Sequence, residues 1–279
     1  LLGLARLMRP RQWIKNLFVL APLVFAAKVQ DFEAVQAAVT AAILFCVASS
    51  IVYIINDIRD ISVDRAHPIK SRTRPLAAGD VTVPQAIVLL GVLLMLLGAG
   101  LYGRHGLVEV LVAYVVLNLG YTFVFKNKPV ADLFVIAFGF VMRVYAGAVA
   151  ISVSVSSWMF ITTLTLALYL AAIKRRQELL KGGEGTRRVL ERYSVALVDR
   201  YAEMSATGAM LFYSLYVMSE RPELVVSIPL VLYGLFRYWY VVDIMGGGES
   251  PTDALFMDWQ LPAVVVAWVA VCSWLLVMG

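Results

Sequence analysis

The chain has 279 residues, 61% of them hydrophobic and 15% charged, with a formal net charge of +5 and a mean hydropathy of +0.81. Soluble domains run at about 45–50% apolar and about 25% charged residues, so a single water-soluble core could not bury this much apolar surface. Soluble enzymes, nucleic-acid-binding domains and secreted disulfide scaffolds are excluded, and the expected class is an all-α, polytopic membrane protein.

Arg6, Arg9, Arg11 and Lys15 lead into a first apolar run near residues 13–29. No small-residue cleavage site follows, so this run is expected to be a retained helix. Further spans are predicted near 35–57, 84–102, 107–125, 130–151, 157–178, 202–219, 224–243 and 260–278, which makes nine in all. Cys46 and Cys272 lie inside apolar runs and read as small core side chains. Lys and Arg concentrate in the N-terminal lead, the 58–83 loop, 126–129 and 179–201, which with 244–259 are placed on one side. By the positive-inside rule that face is cytosolic. Most acidic residues share it. Attraction to lipid headgroups does not explain the acids, whereas an active face does.

The strongest chemical signal is NDIRDISVDRAHPIK, Asn56 to Lys70, at the end of the second predicted helix. If that helix continues, Asp57, Asp60 and Asp64 fall within a wedge of about 60°, with Asn56 on the adjacent edge. Three carboxylates so close call for a cation, and hard oxygen donors at partial coordination suit Mg²⁺. A solvated acidic helix end paired with Arg59 and Arg65 is the structural alternative. Lys70, Arg72 and Arg74 follow directly and suit a polyanion such as a diphosphate; His67 reads as structural. Arg143 sits mid-span, where an unpaired charge is costly, and is expected to face a cavity or a carboxylate. Its neighbours Ala146, Gly147 and Ala148 equally permit close helix packing. Later, YLAAIKRRQELL, Tyr169 to Leu180, puts Lys174 and Glu178 at i and i+4 on one face, with Arg175 and Arg176 between them. Arg237 and Asp243 precede a GGG loop with Glu249 and Asp253, a weak candidate for covering a sugar phosphate. Trp13, Tyr53 and Trp158 read as interfacial anchors.

With these residues in place, the chain resembles the UbiA-type intramembrane prenyltransferase superfamily. The resemblance rests on NDxxDxxxD, on RPRQWIKN at Arg9 to Asn16, and on Tyr121 to Lys126 followed by Asp132. It implies one domain over 1–279, a helical bundle with a lipid-open central cavity, and a Mg²⁺-bound diphosphate at the cytosolic end. Asn56, Asp57, Asp60 and Asp64 would hold the ion, with the three aspartates as the catalytic set. Prenyl-transferring members carry a second DxxxD motif, and Lys174 stands at its first aspartate. Together with KRRQEL, ERYSVAL and the segment Phe236 to Leu255, this departure resembles the decaprenyl-phosphate phosphoribosyltransferase branch. That branch implies transfer of 5-phosphoribose from phosphoribosyl pyrophosphate to a polyprenyl (decaprenyl) monophosphate, releasing pyrophosphate, for cell-wall arabinan precursors. Lys15, Lys126, Lys174 and Arg175 are then candidates for gripping phosphates. Asn16, Lys70, Arg74, Tyr121, Arg143, Glu178 and Asp243 complete the expected substrate-binding set. Two other readings stay open: a prenyltransferase alkylating an aromatic quinone or haem precursor, and a transporter or lipid-binding protein. The expected location is the inner membrane with the site facing the cytosol. The family admits homo-oligomers, and no residue here selects one.

Overall fold

A computed structural model of the chain describes residues 2–180, 188–246 and 251–278. Among the described residues every regular element is helical. Eight helices are long: α1 (Phe32–Arg59), α2 (Val83–Leu101), α3 (His105–Phe123), α4 (Ala131–Ala150), α5 (Ser157–Leu180), α6 (Val195–Glu220), α7 (Ile228–Asp243) and α8 (Gln260–Met278). Local chemistry fixes several of their starts. Asp31 accepts from the Glu33 and Ala34 amides at 3.0 and 3.2 Å ahead of α1. Thr82 and Gln85 form a reciprocal capping box at α2, and Ser194 accepts from the Leu197 amide at α6.

Among the described residues seven segments are long and apolar enough to cross a membrane: α1 to α5, α8, and Pro222–Asp243, which joins a 3₁₀ turn to α7. The other two of the nine expected spans take different forms. Residues 13–29 are not one α-helix. Pro10–Leu20 winds as a 3₁₀ helix and Ala21–Phe25 follows as a short α-helix, with Pro10 and Pro22 each opening an element. Residues 202–219 do lie within α6, but Glu203, Ser205, Thr207 and Ser214 leave it less apolar than its neighbours.

The 3₁₀ segment wedges against α1 and α4. A Cβ on Gly147 would lie 1.8 Å from the Val19 carbonyl oxygen, so only glycine permits this approach. Trp13 Nε1 donates to Ser50 Oγ at 3.1 Å, and Asn16 Nδ2 to Ser49 Oγ at 3.2 Å, tying the segment to α1. α5 packs along both α4 and α6, around a core that includes Tyr169, Ile173, Val198 and Val241. The C-terminal end of α1, the end of α3, the start of α4 and the end of α5 consequently meet at one end of the bundle. Both cysteines are free, as their apolar setting implied.

Candidate active site

α1 does not continue through the aspartate motif. It ends at Arg59; Asp60 sits at φ −90°, ψ 9°, and a separate short helix runs Ile61–Ala66. The expected common face for Asp57, Asp60 and Asp64 is therefore not formed. Among the described residues, no three His, Cys, Asp or Glu side chains are grouped to hold one metal ion. Each aspartate instead meets cations, and Arg74 bridges Asp57 and Asp64. Buried Asp57 accepts from both Arg9 and Arg74. Asp60 accepts from Lys126 Nζ at 2.9 Å. Asp64 lies 3.7 Å from Lys70 Nζ and 3.6 Å from Arg74 Nη1. Arg59 and Arg65 do not form the pairing considered above: Arg59 donates to the Thr122 carbonyl and covers the Phe123 ring.

A cavity of about 220 Å³ opens beside these pairs. Of the expected site residues, Lys15, Asn56, Asp60, Arg74, Tyr121, Lys126, Arg143 and Lys174 line it. Its walls differ in character. α1 and α3 contribute Asn56, Tyr114, Asn118, Tyr121 and Thr122, while α4 and α5 contribute Val135, Ile136, Phe140, Leu170 and Ala171. The α1–α3 wall is largely polar, and the α4–α5 wall is largely apolar but carries the cations Arg143 and Lys174, which suits a site that receives a polar and an apolar partner together.

The remaining expected residues stand behind the cavity. Arg175 is fully buried; Nε donates to Asp132 Oδ2 at 2.7 Å, Nη1 to Glu178 Oε2 at 2.5 Å and Nη2 to Tyr121 Oη at 3.0 Å. Two carboxylates meet its charge and it does not line the cavity, so it orients Tyr121 and is not positioned to grip a phosphate. The Tyr193 hydroxyl donates to Asp132 at 2.7 Å and accepts from the Val130 amide at 2.6 Å. Burial pushes that hydroxyl well above its ordinary pKa, so it stays protonated as a donor. Val130 has φ +66°, an uncommon backbone state for a β-branched residue, and this bond helps to hold it. Asp243 pairs with Arg176 Nη2 at 2.6 Å, away from the cavity. Lys174 and Glu178 do share a face, 4.0 Å apart. His67 Nδ1 accepts from the Ile69 and Lys70 amides at 3.2 and 3.3 Å, a structural turn. Glu249 lies outside the described residues, as does the side chain of Asp253.

Several cavity residues carried no sequence signal of this role. Arg9 pairs with Asp57, covers the Tyr53 ring at 4.9 Å, and adopts a left-handed φ of +55°. Burial lowers its guanidinium pKa while Asp57 opposes that shift, and arginine remains charged. Tyr53, expected as an interfacial anchor, lines the cavity instead. Tyr114, Asn118 and Thr122 lie at i, i+4 and i+8 on α3; a polar stripe on an apolar helix was the available signal.

The donor set fits a partly hydrated Mg²⁺. Asp57 Oδ2 is a buried carboxylate oxygen without a hydrogen-bond partner among the described residues, and Asn56 and Asp60 stand beside the cavity. Magnesium commonly binds through one or two carboxylates plus substrate phosphates, so three converging aspartates are not required.

Residues 16–261 match the UbiA prenyltransferase family. The chain is 35% identical to the decaprenyl-phosphate phosphoribosyltransferase of Mycolicibacterium smegmatis, over 96% of this chain and 90% of that protein. It is 32% identical to the protein of the same name from Corynebacterium glutamicum, over 96% and 84%. Its fold is similar to that of a UbiA homolog from Archaeoglobus fulgidus solved with GPP and Mg²⁺. The TM-score is 0.74 at 18% identity, covering 99% of this chain and 100% of that one.

Proposed function

The chain belongs to the UbiA prenyltransferase family and is a multi-pass membrane protein, and from that premise we propose that it transfers 5-phosphoribose from phosphoribosyl pyrophosphate to a polyprenyl monophosphate such as decaprenyl phosphate. The observation that carries this reading is the polar lining of the cavity by Asn56, Asn118, Tyr121 and Arg143. These groups keep hydrogen-bonding capacity beyond the bonds they make within the protein, which a sugar phosphate can use and a prenyl tail along that wall cannot. The apolar stretch of Val135, Ile136, Phe140, Leu170 and Ala171 on α4 and α5 is left for the first isoprene units of the acceptor, whose tail stays in the bilayer. The basic face supports a cytosolic opening in an inner membrane, and we read residues 1–279 as one domain.

Asp57, Asp60 and Asn56 would hold Mg²⁺, with Asp64 holding Arg74 and Lys70 in place. The ion supplies charge neutralisation for a departing pyrophosphate. Lys126 and Arg74, now paired with Asp60 and Asp57, would turn toward the diphosphate oxygens, and Lys15, Lys174 and Arg9 would add positive charge at the cavity wall. An anionic oxygen of the lipid phosphate attacks the anomeric carbon. The bond from that carbon to the diphosphate oxygen breaks, and pyrophosphate leaves with the electron pair. The nucleophile is already ionised near neutral pH, so positioning matters more than a general base.

The test is label transfer by purified protein in detergent with Mg²⁺. Labelled phosphoribosyl pyrophosphate with polyprenyl phosphate should put label in the lipid. Labelled geranyl diphosphate with 4-hydroxybenzoate should give none; label in the aromatic acceptor alone would replace this reading with prenyl transfer.

A further inference from the structure

Six charged side chains are buried among the described residues: Asp57, Asp64, Asp132, Arg143, Arg175 and Asp258. Five of them are in ion pairs with opposite charges. Arg143 is the exception. Its Nε donates to Asn16 Oδ1 at 2.8 Å, Nη1 to the Gly139 carbonyl at 2.6 Å and Nη2 to the Tyr114 hydroxyl at 3.2 Å. All three acceptors are neutral. The rings of Phe45, Tyr114 and Phe140 stand 5.1 to 5.2 Å from the guanidinium carbon. Aromatic faces and amide oxygens orient a cation and lessen its desolvation, but they do not cancel its charge.

A guanidinium has five N–H donors, and these three bonds use one each, which leaves two. Arg143 is 5% exposed and lines the cavity, so an anion would reach those donors through the cavity. Val135, near the carboxylate-rich mouth, and Arg143 lie eight residues apart on α4. At about 1.5 Å per residue this sets the Arg143 Cα roughly 12 Å deeper along the helix; the guanidinium reaches back about one turn to the Gly139 carbonyl and stands over Phe45, about three turns before Asp57 on α1. The cavity therefore has two cationic poles: a mouth where Arg9, Arg74 and Lys126 already face carboxylates, and an inner pole, Arg143, without a counter-ion among the described residues. The planar fork of arginine matches phosphate oxygens.

We propose that Arg143 forms an inner subsite for a phosphate monoester, separate from the diphosphate end at Asp57 and Asp60. This rests on reading the cavity as the transferase site. Both substrates of that reaction carry such a group: the 5-phosphate of the ribose donor and the head phosphate of the lipid.

Two variants separate ligand binding from fold. Arg143→Gln removes the charge. Asn16→Asp leaves Arg143 in place and supplies an internal carboxylate at the same Nε contact, in competition with any arriving phosphate. Titration calorimetry in detergent would use two probes, ribose 5-phosphate and geranyl monophosphate, with ribose and geraniol as phosphate-free controls. Thermal melts would establish that each variant is folded. Both variants should bind one of the phosphate probes roughly 10–100-fold more weakly than wild type, with Arg143→Lys recovering part of the loss. Loss confined to ribose 5-phosphate assigns the subsite to the donor; loss confined to geranyl monophosphate assigns it to the acceptor. Unchanged affinity for both probes in folded variants, or phosphate-independent binding in wild type, would overturn the subsite and leave Arg143 a structural latch. Label transfer by wild type combined with unchanged variant affinities would overturn the subsite alone. Affinity losses without any label transfer would retain the subsite and remove the phosphoribosyl-transfer reading.

Discussion

Arg143 and Arg175 are both buried, on adjacent helices α4 and α5, and each spends three nitrogens on hydrogen bonds within the protein. The partners differ. Arg175 meets two carboxylates, Asp132 and Glu178, and one tyrosine. Arg143 meets an amide oxygen, a backbone carbonyl and a tyrosine. The first arrangement neutralises a charge and clamps the start of α4 to the end of α5. The second orients a charge and leaves it uncompensated beside a cavity. In a low-dielectric bundle a positive charge kept without a counter-ion implies a ligand that supplies one.

Truncating the paired arginine should have the largest effect on the fold. Arg175→Met leaves Asp132 buried and unpaired, and removing one partner of such a pair costs about 3–5 kcal/mol. A large fall in melting temperature in detergent is expected, with or without substrate. If Arg175→Met melted like wild type, the distinction between the two arginines would fail. At the cavity mouth, Asp60→Asn frees Lys126 and removes a Mg²⁺ donor, so label transfer should fall by roughly 100-fold or more at nearly unchanged melting temperature. Retained turnover there would remove the aspartate motif from the chemistry. Arg143→Gln should destabilise the apo protein less than Arg175→Met, by about 1–2 kcal/mol, because it breaks hydrogen bonds to neutral groups only. The smallest effect on substrate binding is expected from Tyr193→Phe. It removes one hydroxyl bridging Asp132 and the strained Val130 amide, at about 1–2 kcal/mol from thermal melts, with substrate affinity little changed.

Much of this architecture is legible in the sequence because hydropathy in a membrane protein is a length measurement. The runs predicted at 84–102, 157–178 and 260–278 match α2, α5 and α8 to within two residues at each end. The segment near 13–29 is apolar enough to suggest a span. Its winding, however, is set by two prolines and by contacts with α1 and Gly147 that lie far away in the chain. Arg143 stands out in the sequence as a lone charge in an apolar run. Arg175 carries the same residue type within a basic cluster, and nothing local distinguishes its buried pairing with Asp132 from a surface charge. The break at Asp60 was equally hidden, since neither glycine nor proline marks it. Arg9 and Arg74 hold Asp57 while Lys126 holds Asp60, and those partners are separated from the aspartates by up to 66 residues.

The most direct test of a polar cavity built for a sugar diphosphate is ligand-induced stabilisation of the wild-type protein in detergent with Mg²⁺. Melting curves would be recorded with phosphoribosyl pyrophosphate and, separately, with geranyl diphosphate. Phosphoribosyl pyrophosphate is expected to raise the melting temperature, by the equivalent of about 2.7 kcal/mol at one hundred times its Kd, and geranyl diphosphate to do so far less. Stabilisation by geranyl diphosphate with none from phosphoribosyl pyrophosphate would contradict that expectation.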